Sequence, residues 1–143
     1  GHELDNHLMT DTPSIRLSAE VFERQLLETH ELLSRFGPVR WFRPGSGWYC
    51  RRMLEQIRHS GYRCALGSAY AYDSHIRSTW CASRHILRHT RPGAVIILHD
   101  GCASRWRTLD VLRRVLPELE RRGYQVVTLS ELAEREGAQE GVA

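Results

Sequence analysis

Lysine is missing from this sequence: all 20 of its Lys/Arg residues are arginine. Such a bias is what GC-rich coding produces. An arginine-built nucleic-acid surface would share it, but the net charge is only +3. The pairs Arg51-Arg52, Arg113-Arg114 and Arg121-Arg122 also fall on predicted helices where Glu is interleaved, as on a solvated face. No nucleic-acid partner is expected. No apolar run approaches the ~20 residues of a membrane span, so no transmembrane segment is expected in this chain. The first residues are polar and charged, and no signal peptide is visible. A chain that opens on Gly1 rather than Met reads as an excerpt. The four cysteines stand apart at 50, 64, 81 and 102. Without a CxxC pair, a zinc knuckle and a thioredoxin-like motif are both disfavoured. Free or buried thiols are one reading and a single disulfide is another. No internal repeat and no linker interrupts the chain.

The 143 residues fit one domain with a real core, and 41% hydrophobic and 26% charged residues are those of a globular protein. Ser18 caps a predicted helix carrying Phe22, Leu26 and Leu33, ended by Gly37-Pro38. Val39 to Phe42 reads as a strand, Tyr49 to His59 as a helix stopped by Gly61. Tyr62 to Leu66 reads as the next strand, with Tyr70 to Tyr72 near its end. Ile76 to His89 is predicted helical, and Ala94 to Leu98 reads as a strand buried on both faces. A helix over Arg105 to Arg122 is interrupted by Pro117, which predicts a kink or two pieces. Gly123 ends it, Tyr124 to Leu129 is a predicted strand, and Ser130 caps a last helix. Residues 136–143 read as a flexible tail beyond a domain of residues 1–135. Alternating strands and helices imply an α/β fold with a parallel sheet, whose functional groups gather at strand carboxyl ends. Arg43, Asp73 and His99 each follow a predicted strand.

Three blocks carry chemistry. His7 and Asp11 are four residues apart; on a helical turn they share one face within reach of one ion. An imidazole and a carboxylate are ordinary ligands of zinc or a similar divalent metal, though two ligands need a third from elsewhere. The alternative is two surface polar groups. His99 and Asp100 close the most apolar strand, and His is the natural acid or base near neutral pH; a structural His at a strand end is the other reading. Arg43 precedes Pro44-Gly45-Ser46-Gly47, a turn whose backbone N–H groups suit an oxyanion.

In order, these blocks resemble the polysaccharide deacetylases, carbohydrate esterase family 4 or the NodB-homology fold. Gly1-His2-Glu3-Leu4-Asp5-Asn6-His7 is similar to that family's GHE-(I/L)-x-NH segment, Arg40-Trp41-Phe42-Arg43-Pro44 to R-x-F-R-P, and Ile96-Ile97-Leu98-His99-Asp100 to I-x-L-H-D. Gly123 to Leu132 is similar to its final strand and helix. The resemblance runs from Gly1 to about Glu134. It implies a distorted (β/α) barrel, here N-terminally incomplete, and removal of N- or O-acetyl groups from a polysaccharide or oligosaccharide, usually outside the cytoplasm or at its envelope.

By the same resemblance His7 and Asp11 hold a divalent metal, zinc in the first instance, with Asp11 where a second His is usual. Arg43 orients the catalytic base, the Ser46 N–H binds the oxyanion, His99 is the general acid, Asp73 holds His99, and Leu98 lines the acetyl pocket. Ser74 replaces a wall Trp, Tyr70 stands where the first Asp of D-x-x-D-W is usual, and Ser46 replaces an aromatic. The family's T-F-D-D-G strand, source of the base and of the third metal ligand, does not occur in these residues and is expected upstream of Gly1. The rival expectation is a truncated, catalytically inactive member that acts as a glycan-binding module or is a relic.

Overall fold

The computed structural model describes residues 1–71, 78–100 and 106–140, with side chains as far as residue 137. The chain divides into two compact units, Gly1–Leu66 and Gly67–Ala143. Each unit has its own apolar cluster and its own pair of parallel strands.

In the first unit Ser18 Oγ accepts the Val21 N–H at 3.3 Å and caps α1, Ala19–Leu33. Phe22, Leu26 and Thr29 form its buried stripe. The helix closes on Ser34, short of the Gly37-Pro38 stop read from sequence. β1, Trp41–Phe42, leads through α2, Arg51–His59, into β2, Arg63–Cys64. Gly61, at φ +81°, makes the turn between them, a backbone position that favours glycine. The two strands are parallel, with Trp41 opposite Arg63. Asn6 adds a parallel bridge to Phe42 on the other side. The core is built from Leu8, Phe22, Leu26, Phe42, Met53 and Ile57, among others. Phe22 and Phe42 meet edge to face, ring centroids 5.5 Å apart.

The second unit repeats the crossover. β3, Ala69–Tyr70, passes through α3, Thr79–His89, to β4, Ile96–Ile97, in parallel register. Tyr70 therefore belongs to a strand of its own and not to the end of the preceding one. Ser78, whose Oγ accepts the Cys81 N–H, caps α3, so the helix begins later than Ile76. Ile97 is buried while Ile96 and Leu98 are only partly so, less than the doubly buried strand predicted. α4, Trp106–Arg121, is one helix, not two pieces. Pro117 lies on its exposed side, where the carbonyl it leaves without a donor can meet water. Thr108, Val111, Val115 and Leu119 are its buried stripe.

The predicted strand over Tyr124–Leu129 does not form among the described residues. A capping box takes its end instead: Thr128 Oγ1 accepts the Glu131 N–H, and Glu131 Oε2 accepts the Thr128 N–H. Thr128, not Ser130, is the cap, and α5 runs Leu129–Glu140, past the Glu136 where a flexible tail was expected to start. Cys50, Cys64 and Cys81 are free thiols, and Cys102 lies outside the described residues.

One close approach governs the second unit's sheet. A Cβ on Gly67 would stand 2.2 Å from Ile97 Cγ1. Gly67→Ala is expected to destabilise the protein by about 1–3 kcal/mol through overpacking. Urea unfolding of Gly67→Ala, Ile97→Ala and the double variant checks it: the double variant should lose less than the sum of the singles.

Candidate active site

The site of the first unit is organised by Asn6, which is fully buried. Its N–H donates to the Trp41 carbonyl at 2.9 Å and its carbonyl accepts the Arg43 N–H at 3.0 Å. Its Nδ2 donates to the Leu26 carbonyl and to Tyr62 Oη, and its Oδ1 accepts the Leu8 N–H. Tyr62 Oη is also hydrogen-bonded to His30 Nδ1. Because Asn6 points into the core, strand alternation turns Asp5 and His7 to the opposite face.

His7 Nδ1 lies 2.5 Å from the Arg43 carbonyl oxygen. A carbonyl only accepts, so Nδ1 carries the proton and the ring's lone pair falls on Nε2. This is the second-partner arrangement by which ligating histidines are held toward a metal. Asp5 Oδ1, two residues earlier, is buried with no hydrogen-bond partner among the described residues. Desolvation, reinforced by Glu3 and opposed by the Arg43 guanidinium, lifts the Asp5 carboxyl from 3.8 to about 6. The His7 ring, with its lone pair on Nε2, has the donor chemistry of a metal ligand.

Asp11 is exposed, and residues 7–11 do not form the helical turn that motivated the His7–Asp11 pairing. Leu8, at φ +66°, breaks any helical path between them. Among the described residues no three His, Cys, Asp or Glu side chains gather into a metal-holding group. Arg43 is where the sequence places it, directly after β1 and half-buried.

The Gly45–Gly47 turn follows. Ser46 adopts φ +58°, ψ +9°, and Leu8 and Ser46 are the only non-glycine residues with positive φ among those described. Left-handed backbone costs about 1–2 kcal/mol per residue, and such strain concentrates at functional sites. Ser14 Oγ accepts the Gly45 N–H at 2.7 Å, and a Cβ on Gly45 would meet the Thr12 carbonyl at 3.0 Å. The turn therefore packs directly on the loop that carries Asp11.

In the second unit His99 is half-buried just after β4, and its carbonyl accepts the Thr108 hydroxyl at 2.7 Å, which ties it to α4. Leu98 packs against the apolar cluster of that unit. Tyr70, in β3, donates its hydroxyl to the Gly67 carbonyl. Asp73 and Ser74 lie outside the described residues. Sequence reasoning missed Ser14, Thr108 and the structural weight of Asn6. Only Asn6 carried a signal, as part of a motif in which it is a fixed letter.

No protein-family model matches the sequence. A chitooligosaccharide deacetylase of Azorhizobium caulinodans is 31% identical over 144 residues, spanning 90% of this chain and 68% of its own. A peptidoglycan-N-acetylglucosamine deacetylase of Bacillus cereus is 29% identical over 136 residues, spanning 92% and 63%. Of solved structures, a family 4 acetyl xylan esterase from Clostridium thermocellum, in complex with a cobalt ion, aligns at TM-score 0.86 and 23% identity, over 96% of this chain and 66% of that one. The fold is thus the α/β fold of carbohydrate deacetylases and esterases. The chain belongs to the polysaccharide deacetylases, carbohydrate esterase family 4, and spans 63–68% of the length of these two curated relatives.

The raised Asp5 carboxyl generates a pH signature. The folded chain holds this proton more tightly than the unfolded chain, so its contribution to stability is complete below pH 3.8 and is lost as pH rises through about 6. Asp5→Asn should remove that decline and be the more stable form at pH 7. Thermal unfolding from pH 4 to 8 in chelator, wild type against Asp5→Asn, measures it; parallel curves would show that Asp5 is not the group.

Proposed function

We propose that this protein is a metal-dependent deacetylase that removes N- or O-acetyl groups from a polysaccharide or oligosaccharide. The observation that carries this reading is the His7 ring, whose Nδ1 bond to the Arg43 carbonyl, on the segment that leads from β1 into the left-handed turn at Ser46, leaves the lone pair on Nε2. The substrates in its relatives' names, peptidoglycan N-acetylglucosamine and chitooligosaccharide, make an N-acetylated amino-sugar chain the first candidate.

His7 and Asp11 are the residues that would hold the divalent cation, zinc in the first instance. When bound, it polarises the acetyl carbonyl and acidifies water. The remaining roles belong to this chain's own groups. The Ser46 N–H donates to the oxyanion of the tetrahedral intermediate, a donor fixed in direction by the left-handed turn. Arg43 places a cation beside the site's carboxylate, as it already does for Asp5. His99 delivers a proton to the departing amine or alkoxide, and Asp73 orients that ring. Leu98 offers an apolar wall to the acetyl methyl. The second reading, glycan binding without turnover, is favoured by Asp11, which stands where a histidine is usual.

Acetate release from N-acetylated chitooligosaccharide, with zinc and with chelator, tests the reading. Turnover should vanish in chelator. His99→Ala should lower kcat by about 10²–10⁴-fold with metal affinity unchanged. His7→Ala should lower metal affinity itself, read by calorimetric titration. Oligosaccharide binding with no acetate released under any metal would establish the second reading.

A further inference from the structure

The second unit carries a groove that the deacetylase reading does not use. It lies on the surface shared by α3 and α4, with a volume of about 520 Å³, lined by Trp80, Arg84, Leu87, Arg88, Arg114 and Arg122. That volume lies within the roughly 300–1,000 Å³ of small-ligand pockets.

Its lining gathers four arginines around one tryptophan. At other places on the surface Arg24 pairs with Glu28, Arg35 with Glu31, Arg51 with Glu55 and Arg113 with Asp110. Arg84, Arg88 and Arg114 make no ion pair among the described residues. Arg84 and Arg88 are also one helical turn apart, a spacing at which like charges repel. Folding alone gives no reason to gather them; an anion between them relieves the repulsion.

The groove offers more than charge. Trp80 is 58% exposed, an apolar plate beside the cations, and the Arg84 guanidinium rests 5.4 Å from its ring centroid. Such a plate suits the C–H face of a sugar ring. At the far rim Arg122 is already engaged: it donates to Glu118 at 2.7 Å and to the Leu87 carbonyl at 2.6 Å.

We propose that this groove binds an anionic polysaccharide, its acidic groups on Arg84, Arg88 and Arg114 and one sugar ring on Trp80. It is a tethering site on the polymer, separate from the acetyl-removing residues, and it rests on the polysaccharide reading given above. Because the anchoring charges are exposed, binding weakens as salt rises.

Calorimetric titration of the full chain with oligogalacturonate, a carboxylated glycan, tests this. The Arg84→Glu/Arg88→Glu variant is expected to lose about tenfold or more in affinity. Trp80→Ala, which leaves the charge intact, is expected to lose about fivefold. All three positions are exposed, and circular dichroism checks that the variants fold. Unchanged affinity in both variants overturns the proposal. So does single-stranded DNA of equal charge that binds more tightly than oligogalacturonate and is lost with the same arginines. Deacetylation of short neutral chitooligosaccharide is the separate readout, and these variants should leave it unchanged. Its absence with groove binding intact would overturn the deacetylase reading alone.

Discussion

A single buried amide, that of Asn6, sets the geometry of the first unit. Its backbone groups tie the segment carrying Asp5 and His7 to β1, and its side chain ties the same segment to α1 and to Tyr62. In a site shut off from water each of these bonds is costly to lose, because its partner would be stranded. Three chain segments far apart in sequence are thereby fixed around one residue. The direction of His7, the entry to Arg43 and the turn at Leu8 all follow from it.

The two left-handed residues show how local strain is sustained. Leu8 is held because its N–H reaches Asn6 Oδ1 and its side chain joins the core. Ser46 sits between two glycines, in a turn pressed against the Thr12–Ser14 segment. Neither conformation is favourable alone; each is over-determined by its neighbours. Both lie within two or three residues of a group with proposed chemistry. Order in the core and direction at the surface are thus the same set of contacts.

Much of this was legible in the sequence, and the exceptions have identifiable causes. Helices with apolar stripes at helical spacing, such as Phe22-Leu26 and Val111-Val115, formed where expected, and the Ser18 cap fixed the start of α1. The short parallel strands β1, β2 and β4 were also anticipated. The strand expected after Gly123 failed because apolar content alone does not supply a hydrogen-bonding neighbour. The Thr-x-x-Glu pattern at Thr128-Glu131 was the signal to heed, and it marks a helix start. Pro117 did not divide α4 because the damage it does falls on the solvent side. Motif order names His7, Arg43, Ser46 and His99, while the helical turn expected to join His7 and Asp11 does not form. A four-residue interval implies a shared face only on a helix, and Leu8 removes that premise. Ser14 and Thr108 act through hydroxyl contacts to distant backbone, which no local pattern announces.

The bond from His7 runs to the backbone oxygen of Arg43 and not to its side chain. Residue 43 therefore does two jobs through two independent parts. Its guanidinium sets the local charge, and its main chain sets the tautomer of a neighbouring ring. Side-chain replacement at this position edits the first and leaves the second in place. Evolution, or an engineer, can thus retune the electrostatics at position 43 without disturbing the direction in which His7 presents its lone pair.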